Sequence, residues 1–175
     1  GAVDATVHAL RLCDFLAEMR PVDSVYRSYA AGFRRGLTEV AYDPLSQWFA
    51  DVDAAGNRSD ARPATGFFPL LVPDLSASYG GVLRWLSSFD TPQGIPAEAA
   101  ESPSFSADGA WLGRRMNCPW NGRSWPMLNG FVVEAISAVS PALGRAWLRK
   151  ALKLHKDGSS WEHYSPLTGQ GSEYR

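Results

Sequence analysis

Between Trp125 and Leu154 the chain writes two amphipathic helices separated by nothing longer than Ser140-Pro141. Leu128, Phe131, Val132, Ala135, Ile136 and Val139 recur at three- and four-residue intervals, one buried face at the helical period. Ser124 is placed to cap this helix, and Pro126 to sit in its first turn, where a missing N–H costs nothing. Ser140-Pro141 repeats the device. The helix it starts, running to about Lys156 and ended by Asp157-Gly158, is expected to bury Leu143, Trp147, Leu148, Ala151 and Leu154. His155 near its end suits the helix dipole. So short a connection makes the two helices antiparallel, and the fold must contain an αα-hairpin.

The start of the chain has the same grammar. Asp4 to Arg20 reads as a helix with Val7, Leu10, Phe15, Leu16 and Met19 apolar, closed by Pro21. Ser24 to Val40 reads as a second, with Tyr26, Tyr29, Ala30, Phe33 and Leu37 on one face. Phe33-Arg34-Arg35 reads as a solvated basic edge, with a clamp for a substrate carboxylate as the sharper alternative. Leu75 to Phe89 gives another helix, with Val82, Leu83, Trp85 and Leu86 inside. The fold class expected is therefore all-α, built of αα-hairpins.

The segments between are less regular. Trp48 to Asn57 suggests a small β-hairpin with a Gly56-Asn57 turn. Asp51, Asp53 and Gly56 fit part of a calcium loop, but Ala55 and Arg62 stand where oxygen ligands are required, so no metal is assigned. Asn57-Arg58-Ser59 is a formal glycosylation sequon. Thr65 to Pro73, apolar and bounded by proline, reads as a buried connection. Asp90 to Gly109 is a long Pro/Gly/Ser-rich loop of the kind that carries function; its Glu98 and Glu101 are expected to be solvated rather than catalytic.

Composition removes several classes. A net charge of −1 leaves no footprint for nucleic acid or an anionic membrane. No apolar run is long enough to span a bilayer. Two cysteines, Cys13 and Cys118, make neither a disulfide framework nor a metal cluster. No Gly-x-Ser-x-Gly occurs and Cys118 has no evident His partner, which disfavours a serine or cysteine hydrolase. The first residues show no signal-peptide shape, so no compartment is read from them.

Two stretches concentrate chemistry. In Trp120-Asn121-Gly122-Arg123-Ser124-Trp125-Pro126, two indoles flank a turn that runs into the positive end of a buried helix. An isolated Trp pair is ordinarily core; the density of polar partners between these two favours a site. In Trp161-Glu162-His163-Tyr164-Ser165-Pro166-Leu167-Thr168-Gly169, one carboxylate stands among aromatic rings ahead of a sharp turn, a setting suited to acid/base work.

Together these stretches resemble the motifs of inverting glycosidases with an (α/α)6 barrel, nearest to glycoside hydrolase family 63, its mannosylglycerate hydrolase-like and processing α-glucosidase-like members, and more distantly trehalases. The resemblance implies a six-hairpin toroid with a small β-hairpin insertion, and no metal or cofactor. It implies Glu162 as the general base that activates water, with Trp120, Asn121, Gly122, Arg123, Trp125, His163 and Tyr164 around the sugar. Arg123 stands where many members have Pro. In the family, segments like Phe89 to Pro96 border the active-site mouth, and a Gly-Phe-x-Pro-Leu segment like Gly66 to Leu70 follows the small hairpin.

Residues 1–175 supply about five helices, fewer than half of such a barrel, and are expected to be its C-terminal portion. The remainder of the same barrel domain is then a partner, covering apolar faces otherwise left open. Inversion needs a second carboxyl as general acid, and Asp43, Asp51, Asp74 and Asp90 do not match its motif. The piece alone is expected to show no turnover, and the whole protein to hydrolyse an α-glucoside or α-mannoside. A non-catalytic carbohydrate-binding module, which would need the Trp pair but not Glu162, and a purely structural helical scaffold are the alternatives. Arg123 or Arg35 would favour an acidic substrate, though a salt bridge explains either equally.

Overall fold

The computed structural model describes residues 1–111, 114–115, 120–155, 158 and 160–172, the side chains of Trp111 and Arg115 excepted. Cys118, Lys156 and Asp157 lie outside the described residues. Helices α1 (Val3–Met19) and α2 (Ser24–Arg35) form the first hairpin. Its turn is closed by Arg20 N donating to Leu16 O at 2.9 Å and Asp23 N to Arg20 O at 3.0 Å. The helical path beyond Arg35 continues over Gly36–Ala41 as a wider π turn. It delivers the chain to two short antiparallel strands, β1 (Tyr42–Asp43) and β2 (Trp48–Phe49), with Tyr42 opposite Phe49.

The hairpin expected over Trp48–Asn57 is therefore two features. Trp48-Phe49 pairs backward with β1, while Val52 bridges Arg58 around a second turn. In that turn Asp53 accepts from the backbone N–H of Ala55 and Asn57 and from Asn57 Nδ2, at 2.8–2.9 Å. Its carboxylate is a turn-former, with Gly56 at φ 90° completing the bend.

Ala64–Leu71, expected as a buried connection, is a buried 3-10 segment that packs against both α1 and α4 (Pro126–Val139). Phe67, Phe68 and Leu70 from it meet Val7 and Leu10 of α1 and Leu128, Val132 and Ile136 of α4 in one hydrophobic core. Each such side chain, fully buried, stabilises the fold by about 1.5–3 kcal/mol. The helix expected over Leu75–Phe89 is corrected: α3 (Pro73–Tyr79) gives way to a 3-10 segment at Gly80–Phe89. The Gly80-Gly81 pair explains the change, since glycine carries the largest backbone entropy cost in an α-helix.

Residues 90–109 lack regular structure but are not a solvated loop. Ile95, Ala97 and Ala99 are essentially inaccessible. A strand pair absent from the sequence reading follows, β3 (Ala110–Trp111) with β4 (Arg114–Arg115).

Helix α5 (Pro141–Leu152) continues as a 3-10 turn, Lys153–His155, and Ser140 caps it by accepting from Leu143 N. It approaches α4 through Gly144, where a Cβ would run into Ser137. That close crossing turns Trp147, Ala151 and Leu154 toward the protein. Leu143 and Leu148 face outward at 42% and 45% exposure, which corrects the expectation that they are buried. Phe15, Met19 and Tyr29 on the first hairpin are likewise exposed.

Arg34 corrects the reading of a solvated basic edge. It joins three helices, with its guanidinium 2.9 Å from Asp14 of α1 and 3.0 Å from Asp74 of α3. The hydrogen bonds from Asp14 first, then Asp74, hold its pKa above the ordinary arginine value.

Candidate functional site

The two aromatic stretches, forty residues apart in sequence, are laced together by backbone. Ser124 N donates to Tyr164 O at 2.9 Å and Tyr164 N returns to Ser124 O at 2.8 Å. Ser124 also bridges Pro96, and Tyr164 bridges Gly171, so a narrow antiparallel ladder runs 96–124–164–171 at the N-terminal end of α4. Ser124 is consequently not the N-cap. That position falls on Trp125 without a side-chain cap, and the Ser124 hydroxyl donates to Gln93 O at 3.2 Å. The helix begins one residue too late for Ser124 to cap it, and the hydroxyl is engaged by Gln93 instead.

The indoles of Trp120 and Trp125 stack with centroids 4.1 Å apart and planes 2° from parallel. Trp125 is buried at 4% exposure, and its ring also meets His163 at 4.8 Å. Trp120, at 44%, is the exposed member of the pair. The pair is thus half core and half surface, with Trp120 the solvent-facing indole.

Gly122 is required by close approach: a Cβ there would strike the carbonyl of Ser106 and lie 2.9 Å from its nitrogen. Asn121 turns its side-chain amide inward, Nδ2 donating to Ser104 O and Ala110 O at 2.9 Å each, while its backbone carbonyl accepts from Ser106 N at 2.7 Å. Arg123 is also turned inward. Its Nε donates to His163 Nδ1 at 3.2 Å and its terminal nitrogens to Ala107 O and Gln170 O at 3.4 and 3.2 Å. With Nδ1 accepting, the His163 ring proton sits on Nε2. Arg123 thereby braces the second motif against the first.

Glu162 is exposed, beside exposed Trp161 and ahead of buried His163 and Tyr164. Tyr164 fixes the approach to it: the phenol oxygen accepts from Trp161 N at 2.8 Å and lies 3.3 Å from His155 Nδ1. His155 therefore meets a tyrosine as well as terminating a helix. Gly171 lets the Trp161 ring approach the backbone closely, since a Cβ there would fall 2.6 Å from Nε1 and nearer still to the ring carbons. Gln93 N donates to Pro166 O at 2.9 Å, tying the 89–96 segment to the same edge.

Glu98 is the residue sequence reasoning misjudged. It is buried at 5% exposure, not solvated, and the hydroxyl of Ser104 hydrogen-bonds its carboxyl, with that of Ser102 close by. Burial pushes its pKa up, partly offset by those two serines. Glu101, by contrast, is exposed as expected. Among the described residues no cluster of His, Cys, Asp and Glu is arranged to hold a metal, and no helix is long and apolar enough to cross a membrane.

Residues 12–175 match the mannosylglycerate hydrolase MGH1-like glycoside hydrolase domain, and the chain belongs to that family. It is 29% identical over 156 residues to mannosylglycerate hydrolase MGH1 of Selaginella moellendorffii, covering 79% of this chain and 29% of that protein. In fold it is similar to the glycoside hydrolase family 63 mannosylglycerate hydrolase of Thermus thermophilus (TM-score 0.77, 23% identity, 99% of this chain and 42% of that one). It is also similar to the neutral trehalase Nth1 of Saccharomyces cerevisiae (TM-score 0.67, 16% identity, 95% and 34%). The chain therefore spans less than half the length of these relatives, and its all-α architecture is that of the six-hairpin glycosidases.

Proposed function

We propose that this chain carries the general-base half of an inverting glycosidase site, with Glu162 deprotonating the water that attacks the anomeric carbon. The observation that supports the reading is the Ser124–Tyr164 ladder, which joins the two motifs at the start of a buried helix and leaves Glu162 and Trp120 both exposed. Trp120 stacks on the sugar; Trp125, His163 and Tyr164 form the wall behind it; Asn121, Gly122 and Arg123 fix that wall's shape. An aromatic face and an accessible carboxylate on a braced backbone are what sugar binding and water activation need.

The bond cleaved is an α-glycosidic one, of the α-mannoside or α-glucoside type; the mannosylglycerate hydrolases among the relatives favour the former. The buried partners of Arg123 argue against its meeting a substrate carboxylate directly. The general acid is an aspartate outside residues 1–175. The remainder of the barrel covers the exposed Phe15, Met19, Tyr29, Leu143 and Leu148, and no metal or other cofactor takes part.

The test is hydrolysis of a panel of α-mannosides and α-glucosides, mannosylglycerate included, by the whole protein, its Glu162→Gln variant and the 175-residue piece. Turnover by the whole protein alone is expected. Sugar binding without turnover in all three would instead favour a carbohydrate-binding module.

A further inference from the structure

Glu98 stands out as a buried carboxyl that the proposed mechanism does not use. Its surroundings set it apart from Glu162: at 5% exposure, with the Ser104 hydroxyl on its carboxyl, Glu98 is enclosed where Glu162 is exposed.

What Glu98 does touch forms a closed circuit. Its carboxyl accepts from the hydroxyl of Ser104, with that of Ser102 beside it. The Ser104 carbonyl accepts from Asn121 Nδ2 at 2.9 Å, and Ser106 N donates to Asn121 O at 2.7 Å. Ala107 O accepts from Arg123 at 3.4 Å, and the Arg123 carbonyl accepts from Ala97 N at 2.9 Å, next to Glu98 itself. Ser102 Oγ meanwhile accepts from Arg62 N at 3.0 Å, fixing the loop's far end. Residues 102–107 thus hang between one buried carboxyl and the turn that separates Trp120 from Trp125.

The geometry points to Glu98 as a positioning residue: by holding Ser104, it sets the Asn121-Gly122-Arg123 turn and hence the stacking of Trp120 on Trp125. This rests on the proposed sugar site for its consequence in catalysis, but not for its structural content. The 102–107 segment has no regular secondary structure to replace this hold.

The test is circular dichroism of the whole protein. Two indoles stacked at 4.1 Å give an exciton couplet, assigned by its loss in Trp120→Phe. Glu98→Ala is expected to lose the couplet and to lower kcat/KM by about 10²-fold, the effect of a misplacement near 1 Å. Glu98→Gln, which keeps an acceptor for Ser104, is expected to retain the couplet. If Glu98→Ala does not fold, Ser104→Ala removes one donor alone and should weaken the couplet. An unchanged couplet in a folded Glu98→Ala or Ser104→Ala variant would overturn the assignment, as would its loss in Glu98→Gln. Loss of the couplet in a protein that cleaves no glycoside at all would uphold the role of Glu98 and remove the sugar site instead.

Discussion

Ser124 and Tyr164 exchange both of their backbone hydrogen bonds, at 2.9 and 2.8 Å, and so join two motifs that neither secondary structure nor sequence proximity would bring together. Everything proposed for the site hangs on this pair. It aligns Arg123 with His163, seats Trp125 against His163, and leaves Glu162 and Trp120 as the solvent-facing members. The ladder is only one residue pair deep at each step, running from Pro96 through Ser124 and Tyr164 to Gly171, and Ser124 leads directly into the buried helix α4.

The stacked indoles are predicted to separate binding from stability. Trp120→Ala removes an exposed platform and should weaken sugar binding by about 1 kcal/mol while leaving Tm nearly unchanged. Trp125→Ala empties a buried site and should cost about 3–5 kcal/mol of stability. Titration with ligand and thermal unfolding of both variants check this. Equal effects of the two on Tm would contradict the division into platform and core.

Glu98 gives stability a pH dependence of uncommon sign. Its carboxyl is held above the ordinary value of 4.5 by burial, so between the unfolded and folded pKa the native state binds a proton that the unfolded state does not. Stability contributed by this residue is full below the unfolded pKa and declines as pH rises through the folded one. The difference in Tm between wild type and Glu98→Gln should therefore widen in favour of the variant from pH 4 upward, then level off. A gap independent of pH would show that the carboxyl titrates normally.

Gly66 is predicted to be indispensable to the core. A Cβ there would collide with the Trp48 ring and lie 2.8 Å from Phe49 O, and neither neighbour can retreat, since Trp48 is wedged between Phe67 and Phe89. Gly66→Ala should cost about 1–3 kcal/mol or more through overpacking, read as a fall in Tm of several degrees. An unchanged Tm would mean that β2 is free to move.

The helical hairpins were legible because their signals are local: apolar spacing, Pro21, Ser140-Pro141 and the proline at the start of α4. The aromatic stretches were legible as types of residue in a pattern. What the sequence hid depends on partners far along the chain. Ser124 looks like a helix cap until Gln93 takes its hydroxyl and Trp125 takes the cap position. Glu98, in a stretch rich in Pro, Ser and Glu, looks solvated until Ser102, Ser104 and the core around Ala97 and Ala99 enclose it. Leu143 and Leu148 look buried because periodicity marks a face as apolar without saying which neighbour covers it. Gly80-Gly81 was a visible warning that one helix would not run from Leu75 to Phe89.

The central claim is that Glu162 activates water on the face of the sugar opposite the leaving group. The most direct test is the anomer released in the first turnovers by the whole protein on an α-glycoside it cleaves, followed by proton NMR before mutarotation, with Glu162→Gln alongside. The β-anomer from wild type, and at least a ~10³-fold slower release by the variant, is the predicted result. The α-anomer, or undiminished hydrolysis by Glu162→Gln, would contradict it.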